Sequence, residues 1–116
     1  MSATDLAQQR CVPCEGGAVY PLTRNDLEYL MRDVPPGWHL AADARSIERE
    51  LVFKKFSAAM AFLNRLAALA EAEGHHPDFR LYRWKRVSIT LTTHALGGLS
   101  RNDLILAAKL EPLIRP

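Results

Sequence analysis

The stretch KRVSITLTTH, Lys85 to His94, decides how the rest of the chain is read. Val87, Ile89 and Leu91 fall on one side of an extended backbone, and Ser88, Thr90, Thr92 and His94 on the other. This is the two-residue period of a strand with one apolar and one polar face, which suits an antiparallel sheet buried on one side. Downstream, GGLSRND breaks the strand and restarts a helix: Ser100 stands as an N-cap, Asp103 follows three residues later, and LILAAKL propagates the helix.

Working upstream, a short extended piece from Phe79 to Tyr82 is preceded by a long helix. Phe62, Leu66 and Leu69 form its stripe beside Ala59 and Ala70, it begins near Ser57, and Gly74 ends it. Before that helix, GWHLAADARSIERELVFKKF reads as a hairpin, with Trp38 to Ala41 extended, a turn near Asp43, and a strand carrying Ile47, Leu51 and Phe53. Trp38 is a core or cavity-wall aromatic. Thr23 and Asp26 make a capping-box pattern ahead of Leu27, Leu30, Met31 and Val34, and Pro35 and Pro36 stop that helix, which spans about 24–33.

The order helix, two strands, helix, two strands, helix predicts an α+β fold of two layers: a four-stranded antiparallel sheet with its helices packed on one face. Residues 23–116 form one domain on this reading, and residues 1–22, with the turn-rich PCEGGAVYP, form an irregular N-terminal arm. Four short strands leave edges to be covered. The last helix is apolar on more than one side, through Leu104, Ile105, Leu106, Ala107, Ala108 and Leu110. Both features point to a homo-oligomer, a dimer or a tetramer, with a well-buried monomeric helix as the plain alternative.

The 116 residues carry 15 basic and 13 acidic side chains, a net charge of +2, with no long run of either sign. Nucleic acid and membrane surfaces are therefore not expected as direct partners. MSATDLAQQR lacks a basic start followed by an apolar core, and no apolar stretch is long enough to span a bilayer, so a cytoplasmic location is expected. Cys11 and Cys14 form CVPC, but no second ligand pair completes a zinc pattern, and no strand-to-helix context supports a redox motif. Two reduced thiols on the arm are the simpler reading.

EAEGHHPDF, Glu71 to Phe79, holds the unusual chemistry. Gly74 suffices to end the helix, so His75 and His76 need another reason. Pro77 disfavours a helical His76, and neighbouring side chains of an extended dipeptide point opposite ways. With His94 at the end of its strand, three imidazoles can line one pocket. Histidine titrates near neutrality, so acid-base catalysis, metal binding and a structural role all remain open on spacing alone.

Glu71, then HHP after three intervening residues, Trp84, His94 nine intervening residues later and Asp103 eight further closely resemble the signature of pterin-4a-carbinolamine dehydratases. GWHL, FKKFSAAMAFLNRLA and THALGGLSRNDLILAAKL extend the likeness over roughly residues 21–114. Six residues separate Pro77 from Trp84 where many members have five, which makes Tyr82 a second candidate for the pocket aromatic. The resemblance implies a hydro-lyase that converts 4a-hydroxytetrahydropterin, the carbinolamine left by an aromatic amino acid hydroxylase, to quinonoid dihydropterin and water, with no metal or organic cofactor. It implies His75, His76 and His94 as catalytic; the division of roles expected here makes His75 and His94 the acid-base pair, with His76 holding the ring and modulating its neighbours. Glu71, Trp84, Asp103 and Trp38 would bind or orient, Glu71 through His75, and Asp103 would also cap its helix. The family also includes a dimerisation cofactor of a homeodomain transcription factor, so a non-catalytic binding module, or a place in another pterin pathway such as molybdenum cofactor metabolism, is the alternative.

Overall fold

The computed structural model describes residues 3–13 and 19–114. Its helices are α1 (Ala3–Gln8), α2 (Arg24–Leu30), α3 (Phe56–Glu73) and α4 (Arg101–Ile114), and its strands β1 (His39–Leu40), β2 (Ile47–Val52), β3 (Asp78–Tyr82) and β4 (Arg86–Leu91). The strands form one antiparallel sheet in the order β1-β2-β4-β3. This is the expected α+β architecture.

Burial alternates residue by residue along β4: Val87, Ile89 and Leu91 are buried, and Arg86, Ser88 and Thr90 partly exposed. Register carries the apolar face across the sheet, pairing Leu51 with Val87 and Ile47 with Leu91. Against this face α3 lays Ala59, Phe62, Leu63, Leu66 and Ala70, and α4 adds a nearly continuous buried run from Asn102 to Ala108. Phe62 is fully buried, and its ring lies 5.3 Å from that of Phe53 where β2 leads into α3. Each such large side chain contributes roughly 1.5–3 kcal/mol through lost apolar exposure. At the far end of α4, the Arg65 guanidinium on α3 donates to the Leu113 carbonyl at 2.9 Å, satisfying an acceptor that the helix leaves unpaired.

Three differences from the sequence reading matter. The expected irregular arm 1–22 contains a helix, α1, which packs on α4 through the fully buried Leu6. A six-residue helix is unstable in water by itself. Among its described side chains Leu6 alone is fully buried, with no repeating stripe, so the helix depends on the surface of α4 and leaves no periodic trace. Next, α2 tightens into a 3-10 turn at Met31–Asp33 before the two prolines. Finally, β4 stops at Leu91, opposite Ile47, the first residue of β2. Beyond that point no strand remains for pairing with β2, so the chain turns away, and His94 opens a 3-10 turn, His94–Leu96, instead of extending the strand.

Leu6→Ala checks the packed arm: a loss of about 2–4 kcal/mol is expected in urea unfolding. A loss below about 0.5 kcal/mol, typical of an exposed position, would mean that the arm does not pack.

Candidate active site

Gly74 ends α3 in the left-handed region at φ +67, donating its amide to the Ala70 carbonyl at 2.9 Å. A Cβ there would touch nothing within 4 Å, so the backbone conformation, not lack of space, favours glycine. The chain then passes through His75-His76-Pro77 into β3, and the adjacent imidazoles meet different surroundings. His75 is 5% exposed, whereas the His76 side chain is 61% exposed.

Inside, His75 Nε2 lies 2.6 Å from Asp103 Oδ1. Asp103 is fully buried, in the first turn of α4. Its Oδ2 accepts from the Ser100 amide at 2.9 Å and from the Thr93 hydroxyl at 2.8 Å, while Thr93 Oγ1 and Ser100 Oγ are 2.6 Å apart. With Thr93 donating to the carboxylate, the Ser100 hydroxyl donates to Thr93. Asp103 thus serves the helix start and the histidine together. With the carboxylate accepting, His75 donates through Nε2.

Each of the other two imidazoles also has a carboxylate beside it. His76 Nε2 is 3.6 Å from Glu71 Oε1, and His94 Nε2 is 3.2 Å from Asp78 Oδ2. These two pairs are exposed and contribute little to stability. Their value lies in location: His75, His76, His94, Pro77 and Asp78 line one open cavity of about 280 Å³. That falls just below the usual ligand-site range of about 300–1,000 Å³. A larger recess of about 520 Å³ lies along Glu48, Glu50, Ser88 and Thr90, where His39 is the one imidazole.

The structure therefore brings His75, His76, His94, Glu71 and Asp103 together and leaves two expected residues outside. Trp84 does not line this cavity. It is 62% exposed in the turn joining β3 to β4, where Arg83 and Trp84 have φ +49 and +54. Asp78 begins β3 and the turn follows Tyr82, so at ~3.3 Å per residue the turn is roughly 16 Å away. Tyr82, the second candidate, donates its hydroxyl to Glu50 at 3.0 Å and lies outside the cavity too. Trp38 is 5% exposed in the hydrophobic core and away from the histidines, its buried indole N–H without a hydrogen-bond acceptor among the described residues. Glu71, expected to orient His75, faces His76 instead.

Sequence reasoning missed Asp78 and Thr93. The acid in HHPDF was a visible signal for the first, whereas Thr93 became relevant once the chain left the sheet and folded Thr93 against Gly98.

Behind the histidines, Glu73 accepts from the Cys11 amide at 2.9 Å and from Lys109 Nζ at 2.8 Å. Burial works to raise its pKa, but the hydrogen bonds from Lys109 and the Cys11 amide outweigh it and hold the carboxyl below the usual glutamate range. Burial, reinforced by the charge of Glu73, pushes the Cys11 thiol up to about 12. Cys11 is thus a neutral thiol at physiological pH, donating to the Asn102 carbonyl at 3.5 Å. Cys14 lies outside the described residues. Among the described residues no group of three His, Cys, Asp or Glu side chains is arranged to hold a metal ion, and no helix is long and apolar enough to cross a membrane.

Comparison with known proteins identifies the family. The family model for pterin 4 alpha carbinolamine dehydratase matches residues 20–113. The chain is similar to pterin-4-alpha-carbinolamine dehydratase 2, mitochondrial, of Arabidopsis thaliana, with 41% identity over 97% of this chain and 60% of the plant protein. It thus spans less than two thirds of that relative's length. A relative from Nitrosomonas eutropha, provisionally given the same activity, is 44% identical over 95% of this chain and 94% of its own. A Brucella melitensis protein described as a transcriptional coactivator/pterin dehydratase superposes with a TM-score of 0.75 at 30% identity, covering 82% of this chain and 99% of that one. A pterin dehydratase-like protein identified as a RuBisCO assembly factor in the alpha-carboxysome superposes with a TM-score of 0.58 at 28% identity, covering 68% and 90%.

The lowered pKa of Glu73 has a definite pH signature. A carboxyl held lower in the folded than in the unfolded chain adds stability that is complete above the ordinary glutamate value, about 4.3. That stability is lost as pH falls through the lower folded value. The stability advantage of the native protein over Glu73→Gln should therefore be full at pH 7 and shrink below about pH 4.3, measured by urea unfolding across pH. A gap constant with pH would contradict it.

Proposed function

The chain belongs to the pterin-4a-carbinolamine dehydratase family, and we propose that it dehydrates a 4a-hydroxytetrahydropterin by acid-base catalysis from its histidines. The observation that carries this reading is the convergence of His75, His76 and His94 on one cavity, each imidazole beside its own carboxylate.

In this reaction the C4a hydroxyl oxygen is protonated and the C4a–O bond breaks as water leaves. The N5 lone pair forms the C4a=N5 double bond, and the N5 proton passes to a base. His75 is the proposed base, held in place by its contact with Asp103. His94, exposed at the cavity mouth beside Asp78, is the proposed acid, able to take its proton from solvent. His76, paired with Glu71, holds the ring. In this proposal the site works in a homo-oligomer, on the carbinolamine left by an aromatic amino acid hydroxylase. The pterin of molybdenum cofactor metabolism is the alternative substrate.

A second reading, a protein-binding module, is favoured by the two structural neighbours described as a transcriptional coactivator and as an assembly factor. Docking alone gives no reason to bury a histidine against a carboxylate.

The test supplies chemically generated 4a-hydroxytetrahydropterin and follows quinonoid product. His75→Ala and His94→Ala should each lower kcat by about 10²- to 10⁴-fold. If both variants turn over like the native protein, the assignment is wrong. If the native protein is inactive yet co-purifies with a partner, the binding module takes its place.

A further inference from the structure

Residues 3–13 precede the span matched by the family, 20–113, yet they are hydrogen-bonded to both elements that deliver the buried His75–Asp103 pair. The Asn102 side chain holds Val12 from both sides: Oδ1 accepts from the Val12 amide at 2.9 Å, and Nδ2 donates to the Val12 carbonyl at 2.7 Å. The Cys11 amide donates to Glu73 Oε1, and the other oxygen of Glu73 accepts from Lys109 on α4. Arg101 Nε donates to Gln9 Oε1 at 3.0 Å.

The positions of these anchors are informative. Asn102 immediately precedes Asp103 in the first turn of α4, and successive helical residues point about 100° apart. One therefore grips the arm while its neighbour faces His75. Glu73 is the last residue of α3 and is separated from His75 by Gly74, the residue type that restrains a backbone least. The His75–Asp103 contact thus joins the end of one helix to the start of another across a glycine joint, and the arm bridges the same two helix ends. At 2.6 Å the contact survives small shifts, but a displacement near 1 Å carries it past hydrogen-bonding range.

We propose that Cys11 and Val12 form a strap which, through Asn102 and Glu73, sets the position of His75 against Asp103. Asn102 and Glu73 are then positioning residues, and the inference rests on the acid-base reading above. The strap works through main-chain groups of the arm, so the identity of the Val12 side chain, 43% exposed, is immaterial.

The test uses the full chain with Asn102→Ala, and Val12→Ala as a control that keeps both main-chain bonds. In native protein and in Val12→Ala, the His75 Nε2 proton should give a far-downfield, slowly exchanging NMR resonance. In Asn102→Ala it should broaden or vanish. In the same variant kcat should fall roughly tenfold, with KM within about twofold and the pH profile of kcat displaced, since a misplaced catalytic group costs turnover up to about 100-fold per ångström. Val12→Pro deletes the amide that Asn102 accepts while leaving every core side chain in place, and should behave like Asn102→Ala. It answers the question if Asn102→Ala does not fold. A native resonance and a native kcat profile in either variant overturn the strap, whatever happens to stability. Because the resonance needs no substrate, a protein that fails to dehydrate pterin sinks the proposed function and still leaves the strap to be judged by its own measurement.

Discussion

Everything distinctive about this molecule depends on one buried contact, the 2.6 Å approach of His75 Nε2 to Asp103 Oδ1. A carboxylate removed from water costs several kcal/mol unless its oxygens are satisfied. Here the partners come from three separate places: the exit of α3, the turn after β4, and the first residues leading into α4. The contact therefore requires the whole two-layer fold, because the histidine and the aspartate lie 28 residues apart with a complete hairpin between them. If the hydrophobic layer between sheet and helices shifts, the polar cluster cannot form.

The dependence also runs the other way. Ser100, Thr93 and Asp103 are all essentially buried, so a misfolded arrangement of this corner would strand polar groups without water. Such a cluster penalises alternatives more than it rewards the native state. It also explains how two adjacent histidines serve different ends: the inner one is held by the fold, while the outer one faces solvent. Rigid support behind an accessible surface is the arrangement a proton-transferring site needs.

Much of this was legible beforehand. The alternation from Val87 to Leu91, the stripe of α3 and the glycine stop at position 74 are local patterns with local causes, and each appears in the structure within a residue or two. Polar residues with long-range partners were harder to read. Asp103 showed in sequence its relation to Ser100, three residues away, because capping is local. Asp78 was visible as the acid of HHPDF but, like Thr93, gave no sign of its partner, since their partners lie 16 and 10 residues distant and depend on where the strand ends. Trp84 matched a spacing pattern, but the hairpin carries it to the opposite end of β3 from the histidines. The helix at Ala3–Gln8 was invisible because a single buried leucine makes no periodicity.

By itself, the sequence determined the secondary elements from α2 onward, their buried faces, the two-layer architecture and the set of histidines with unusual placement. All of these follow from backbone preferences and side-chain periodicity acting over a few residues. Tertiary structure alone decided which imidazole is buried, which carboxylate each one meets, and that the N-terminal arm reaches the ends of α3 and α4. Those outcomes depend on distances between segments far apart in the chain, which are set when the sheet and helices close on a common core.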